Sequence, residues 1–178
     1  MAKRLTHHES HVLALIRKYE PTTAYFIRKA VVRSLASSFS DSPGSIYPII
    51  ARLQARELVV ATDGPDSGRK SELLSCTAQG VAAIKAWLLE IDTADLLPED
   101  PWRTRLLLAD QLSESERLRC LKTMRAAGDE ELARIAERLH LAADTHEIDA
   151  AENAWLLTEA RIAWLDRLMA RMLANAPD

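Results

Sequence analysis

The clearest pattern of apolar and polar positions lies in residues 42–58. Apolar side chains recur there at helical spacing, and Ser42-Pro43 predicts the start of the helix, because serine caps free N–H groups and proline has none to leave unpaired. The apolar positions are Ile46, Ile49, Ile50, Leu53 and Leu58, and the polar face carries Ser45, Tyr47, Arg52 and Arg56. Hydroxyl and guanidinium donors on one rigid helix suit phosphates and base edges in a DNA groove. We interpret this segment as a recognition helix.

Two further amphipathic helices are predicted before it, over about residues 8–19 and from residue 22 or 23 to about residue 37. The open side of the second helix is basic, with Arg28, Lys29 and Arg33. Taken alone, this side could be solvated or could contact phosphates. Its position next to the recognition helix favours phosphate contact.

Three histidines, His7, His8 and His11, lie at the start of the first helix. His7 and His11 are one helical turn apart, a spacing that two metal ligands can use. The sequence offers no third ligand with them. We therefore favour a solvated helix start and expect no metal or cofactor.

A hairpin is predicted after the recognition helix. Residues 58–62 are β-rich, residues 63–68 form a turn and residues 69–76 can return as a second strand, with Arg69 and Lys70 near the tip. Helix, turn, helix and hairpin together predict a winged helix, in which a basic hairpin tip would clasp the adjacent DNA backbone or minor groove.

Thr77 is predicted to cap a further helix that runs to Glu90 and buries Val81, Ile84 and Leu88, with Trp87 beside them. Residues 91–101 carry two prolines and several acidic side chains, which is typical of a linker. We therefore predict a winged-helix domain over residues 1–90, a linker over 91–101 and a helical domain over 102–178.

The second half shows no strand signal. A short helix is predicted over residues 102–112, and Ser113 with Glu116 forms a capping box for the next one. The apolar phase continues through Gly128, so we favour one long helix with glycine at a close crossing over two separate helices. A final helix, about residues 150–174, has an apolar face wider than one neighbour can cover, which predicts a two-fold dimer. Its dimerisation residues are Trp155, Ile162, Leu165, Met169 and Met172.

The chain is long enough to bury a core in one large or two small domains, and we expect two. Hydrophobic residues make up 48% and charged residues 28% of 178 positions. Residues 1–90 carry 12 Lys and Arg against 8 Asp and Glu, whereas residues 91–178 carry 11 against 18, so only the first half suits a polyanion. Cys76 and Cys120 have no metal-type spacing, and we expect both to be reduced. With no secretory or membrane-spanning segment in view, we expect a cytoplasmic protein without membrane contact.

These motifs resemble the PadR family of bacterial transcriptional regulators. The resemblance rests on Ser42–Pro48 with Arg52-Leu53, on Gly68-Arg69-Lys70 in the wing and on Thr77 with Gly80. The acidic second half is similar to the C-terminal dimerisation domain of PadR-like and virulence-activator proteins. The implied fold is mainly α with a small β-hairpin wing, an N-terminal winged helix-turn-helix and a C-terminal α-helical dimerisation domain.

The resemblance implies a homodimer that binds a pseudo-palindromic operator in double-stranded DNA, usually as a repressor released by a small molecule. The residues expected to contact DNA are Thr23, Tyr25, Arg28, Lys29, Ser42, Gly44, Ser45, Tyr47, Arg52, Arg69 and Lys70. The chain departs from the family pattern at the opening of helix two, which keeps only Tyr25 of His-Gly-Tyr-Glu. It also departs at Glu57, where a glycine is usual, and at Leu73-Leu74, where tyrosines are common.

Two other classes of function fit the sequence less well. An enzyme is not expected, because no phosphate-binding glycine loop, nucleophile set or paired carboxylates are placed by a known scaffold. A winged helix that binds only protein would use the acidic helices as its surface. Trp87, Trp102 and Trp155 could line a pocket for a small aromatic or hydrophobic effector, although tryptophans at helical spacing are more often core residues.

Overall fold

A computed structural model describes residues 4–34, 43–64, 72–91, 96, 99–142 and 144–174, apart from the side chains of residues 43–45. The chain divides into two compact units, Met1–Leu97 and Pro98–Asp178. The first unit contains α1 His7–Tyr19, α2 Ala24–Arg33, α3 Pro43–Ala55, β1 Val59–Asp63, β2 Glu72–Cys76 and α4 Ala78–Leu89. The second contains α5 Pro101–Leu107, a 3₁₀ turn Ala109–Gln111, α6 Glu114–Leu141 and α7 Thr145–Ala174.

Helix α1 is the centre of the first unit, where it contacts α2, α3, β2 and α4. Val12, Leu13 and Ile16 are fully buried, together with Ile27 and Val31 of α2. This placement corrects one expectation, because His11 is only 8% exposed instead of solvated. It lies on the packed side of α1, and its Nε2 is 3.4 Å from Ser34 Oγ at the end of α2.

The two strands form an antiparallel hairpin in which Val59 pairs with Cys76 and Asp63 with Glu72. Thr22 adds an isolated bridge to Leu74, and the backbone N–H of Leu74 donates to the Thr22 carbonyl at 2.6 Å. The segment between α1 and α2 is thereby attached to the hairpin. The turn between the strands, with Arg69 and Lys70, lies outside the described residues.

Helix α3 ends at a residue in the left-handed backbone region. Glu57 has φ 59°, and the N–H groups of Leu58 and Glu57 donate to the carbonyls of Leu53 and Gln54 at 3.0 and 2.8 Å. This is the helix end that glycine usually occupies. It turns the chain from α3 into β1.

Helix α4 begins as the sequence predicts, with the Gly80 N–H donating to the Thr77 hydroxyl at 3.0 Å. Gly80 packs directly on the backbone of the α3–β1 turn: a Cβ added to it would lie 2.2 Å from the Leu58 carbonyl oxygen. Of the three residues predicted to be buried in this helix, Ile84 is buried but Leu88 is 66% exposed. Fewer apolar side chains of α4 are therefore buried than their spacing predicts.

In the second unit, α6 and α7 form an antiparallel pair. The prediction of one long helix is confirmed, because α6 runs unbroken through Gly128. A Cβ at Gly128 would lie 2.8 Å from Ile162 Cγ1 of α7, which explains the glycine at this crossing. Helix α7 begins at Thr145, earlier than the predicted residue 150, and the side chain of Asp144 accepts from the Glu147 N–H at 2.9 Å.

The apolar stripe of α7 is largely used inside the unit. Leu165 is fully buried against Leu121 and Met124 of α6, and Ile162 is 9% exposed. This corrects the expectation that both belong to a surplus surface, because the facing helix and the glycine crossing already cover them. Helix α5 adds Trp102 to this cluster, and Asp100 caps α5 by accepting from the Trp102 N–H at 2.9 Å.

Candidate nucleic-acid interface

Helix α3 presents one apolar and one open face. Ile46, Ile49, Ile50 and Leu53 are at most 5% exposed, which fixes the helix against α1 and α2. The open face retains Tyr47, 47% exposed, with Pro48, Ala51 and Arg52 also exposed. Gly44 and Ser45 lie in the first turn of α3, but their side chains are outside the described part, as is the whole of Ser42.

Three of the predicted site residues form a cluster on α2. Tyr25 is 54% exposed, with Lys29 Nζ at 4.8 Å and Arg28 Cζ at 5.8 Å from the centre of its ring. The hydrogen bond from Lys29 lowers the pKa of the Tyr25 hydroxyl. The cluster presents two cations and a phenol to solvent, groups that can contact phosphate oxygens.

Thr23 has a structural role at the start of the same helix. Its hydroxyl accepts the Phe26 N–H at 3.2 Å, so it caps α2. Phe26, although 46% exposed, packs edge-on against Tyr19 with ring centres 5.1 Å apart. Together these contacts fix the end of α2 from which Tyr25 projects.

Arg52 is already engaged inside the chain. Its Nε donates to Glu9 Oε1 at 2.8 Å, and Arg56 Nη1 lies 3.9 Å from Glu9 Oε2. The hydrogen bond from Arg52, followed by that from the Thr6 backbone, lowers the pKa of Glu9. The sequence interpretation missed Glu9, although Thr6-His7-His8-Glu9 has the capping-box pattern that identifies it as the N3 residue of a helix.

The residues predicted for the dimer and the effector lie in different surroundings. Trp87 is half-buried and meets the His7 ring edge-on at 5.8 Å. Trp102 is half-buried in the α5–α7 cluster, with the Arg161 guanidinium 5.8 Å from its ring centre. Trp155, Met169 and Met172 of α7 are half-buried.

A groove of about 490 Å³ opens in the second unit. Leucines and Met172 give it an apolar lining, to which Asp110, Arg117 and Arg171 add charge. The lining residues include neither Trp102 nor Trp155. Met172, which the sequence predicts to lie in the dimer interface, is one of the residues that line the groove.

The described residues were also compared with the requirements of a metal site and of a membrane span. No group of three or more His, Cys, Asp or Glu side chains in that part of the chain could hold a metal ion. None of its helices is long and apolar enough to cross a bilayer.

Part of the first unit matches the model of a known family. Residues 12–86 match the model of the transcriptional regulator PadR-like family. A search of curated proteins found no match.

Solved structures resemble the chain over nearly its whole length. Bacillus subtilis PadR in complex with operator DNA matches with TM-score 0.80 and 16% identity, covering 96% of this chain and 99% of that one. The same protein in complex with p-coumaric acid gives 0.73 and 17%, covering 92% and 97%. The Vibrio cholerae virulence activator AphA gives 0.73 and 18%, covering 94% and 99%. At these identities the likeness shows the fold, a winged helix followed by C-terminal helices.

Proposed function

Because residues 12–86 belong to the PadR-like family of transcriptional regulators, we propose that this protein is a homodimeric repressor that binds a pseudo-palindromic operator. A small molecule would release it from DNA. The observation that carries the proposal is the open face of α3, where Tyr47 projects from a helix whose other face is buried. Support also comes from the similar fold of Bacillus subtilis PadR, which has been solved with operator DNA.

In this proposal the two helices of the helix-turn-helix have separate tasks. Tyr47, Gly44 and Ser45 on α3 would contact bases and nearby phosphates, while Tyr25, Arg28 and Lys29 on α2 would bind the flanking backbone. Ser42 and Thr23 would contribute at the starts of these helices. Arg69 and Lys70 of the wing would anchor the adjacent backbone without reading sequence.

Dimerisation would use the apolar side chains that α7 leaves uncovered. Leu156, Leu157 and Leu173 are 56%, 57% and 67% exposed, and Trp155, Met169 and Met172 lie beside them on the same helix. An interface of more than about 1,000 Å² would outweigh the cost of association. The dimer would hold two recognition helices roughly 34 Å apart, one turn of DNA.

A small hydrophobic or aromatic effector would act on the same assembly. Bacillus subtilis PadR has been solved with p-coumaric acid, and the groove in the second unit, with its apolar lining, provides a candidate site for a molecule of this size. Trp87, Trp102 and Trp155 are the candidates for contacts with an effector.

The proposal is tested by enriching the preferred duplex from a random-sequence pool and titrating it by fluorescence anisotropy at several salt concentrations. We expect affinity to fall steeply with salt, because each phosphate contact releases counterions. Tyr47→Phe should weaken binding to the enriched duplex while leaving thermal stability nearly unchanged, since an exposed hydroxyl contributes little to folding. A protein-interaction module would instead show no salt-dependent DNA binding.

A further inference from the structure

The basic side chains at the end of the recognition helix share one carboxylate. Arg52 and Arg56 are the cations of the described part of α3 and the turn that follows it, and both lie within 4.0 Å of Glu9. The Glu9 side chain is only 9% exposed, whereas that of Arg52 is 54% exposed. A buried anion therefore faces two cations, Arg52 on the recognition helix and Arg56 in the turn that follows it.

Glu9 is held in place from its other side. Its Oε2 accepts the Thr6 N–H at 3.0 Å, while the Thr6 hydroxyl accepts the Glu9 N–H at 3.2 Å. This capping box fixes the first turn of α1, and α1 is the central helix of the unit. Glu9 thus cannot follow Arg52 if the arginine turns towards DNA.

The ion pair uses only part of the guanidinium group. Arg52 binds Glu9 through Nε, which is one of five N–H donors in the rigid fork of an arginine. The remaining donors lie at the outer end of a half-exposed side chain. An arginine held by Nε can offer its terminal N–H groups in one direction, but it cannot swing to whichever phosphate is nearest.

We infer that Glu9 is a positioning residue for DNA recognition, which restrains Arg52 so that the recognition helix favours its operator over other duplexes. The inference rests on the proposed function. Glu9 does not itself contact DNA in this account. It lowers the attraction of Arg52 for arbitrary phosphates and preserves the one orientation in which the guanidinium fits the operator.

The test uses Glu9→Gln in the full-length chain. Glutamine keeps the size of the side chain and can complete a capping box, but it removes the charge. We expect binding to random duplex to become about three- to tenfold tighter and its salt slope to steepen by about 0.9, the value for one added phosphate contact. The ratio of operator to random affinity should fall by about tenfold, a loss of about 1.4 kcal/mol in discrimination.

Glu90→Gln is the matched control, because Glu90 forms an exposed ion pair with Arg4 at 3.6 Å and lies on the C-cap of α4. It makes the same change in net charge, so it should alter both affinities equally and leave their ratio unchanged. Arg52→Lys keeps the charge but lacks Nε, so it should reproduce the fall in the ratio. The double variant should show no further fall, because both changes break one interaction.

An NMR signal shows directly whether the contact between Glu9 and Arg52 has changed. The Nε–H signal of Arg52 in a nitrogen-correlated NMR spectrum should move in Glu9→Gln and stay in place in Glu90→Gln. If Glu9→Gln kept the wild-type affinity ratio although this signal moved, the positioning role would be refuted. If the wild-type protein bound no duplex with preference, the proposed function would fail first, and the inference with it.

Discussion

Gly80→Ala should destabilise the protein, because the backbone leaves no room for a methyl group. The added Cβ would lie 2.2 Å from the Leu58 carbonyl oxygen and 3.2 Å from its carbon. The same oxygen accepts the Thr77 N–H at 3.1 Å, so relief of the clash must move α4 away from the α3–β1 turn. Overpacking of this kind costs about 1–3 kcal/mol, and the weakened hydrogen bond adds about 1 kcal/mol.

The gain in helix propensity opposes this cost by about 1 kcal/mol. The expected net loss is therefore about 1–3 kcal/mol in the free energy of unfolding. Gly128→Ala is the matched comparison, since its Cβ would meet Ile162 Cγ1 at 2.8 Å, which belongs to a side chain instead of backbone. Ile162 is buried and β-branched, so it can shift only a little, but a side chain shifts at lower cost than backbone. Gly128→Ala should therefore also lose stability, by about 1 kcal/mol less than Gly80→Ala.

Urea unfolding of both variants, followed by far-ultraviolet circular dichroism, measures the difference. A Gly80→Ala variant as stable as the wild type would refute this reasoning, since it would mean that the contact between α4 and the α3–β1 turn shifts without cost. An equal loss in both variants would show that the cost does not depend on whether the added methyl group meets backbone or a side chain.

Three further predictions follow from single residues. Glu57→Gly should raise stability by about 1 kcal/mol in thermal or urea unfolding, since Glu57 adopts φ 59° and left-handed backbone is costly for residues with a Cβ; Glu57→Ala should give no gain. Burial, with the nearby Glu20 charge, raises the pKa of Cys76 from 9.0 to about 11. Alkylation of this thiol at pH 8, followed by mass spectrometry, should therefore be roughly 100-fold slower than in the urea-unfolded chain. Comparable rates would contradict its burial. Because the pKa of Glu9 is lowered in the folded state, its stabilising contribution is present above the unfolded pKa and is lost as pH falls through the folded pKa. Acid unfolding of Glu9→Gln should therefore depend less on pH than that of the wild type, and parallel curves would argue against the ion pair.

The sequence predicted the fold class because its local signals are strong and agree with one another. Thr77 and Ser113 cap the helices that they were expected to cap, and the periodicity through Gly128 was sufficient to predict one helix. Spacing within a segment fixes which side chains share a face. It does not identify what that face packs against.

That limit accounts for the expectations that failed. Ile162 and Leu165 fall on an apolar stripe, but only the position of α6 shows that they are covered within the chain. His11 is polar and near a helix start, yet α1 is surrounded on several sides and buries it. Burial of these residues depends on contacts between elements distant in sequence.

The same difference between local spacing and distant contacts applies to the candidate site. Tyr47 could be placed on an open face from the α3 pattern alone, since its neighbours in space are one turn away. The pairing of Glu9 with Arg52 joins residues 43 positions apart, so no local pattern could predict it. The roles of the site residues in DNA binding stay predictions.

The most direct test of the central claim is to sequence the duplexes that the protein enriches from a random pool and to determine how many chains bind each one. We expect two inverted half-sites whose centres are about 10 base pairs apart, bound by two chains, with affinity that falls as salt rises. Enrichment of no sequence, or of a single half-site bound by one chain, would contradict it.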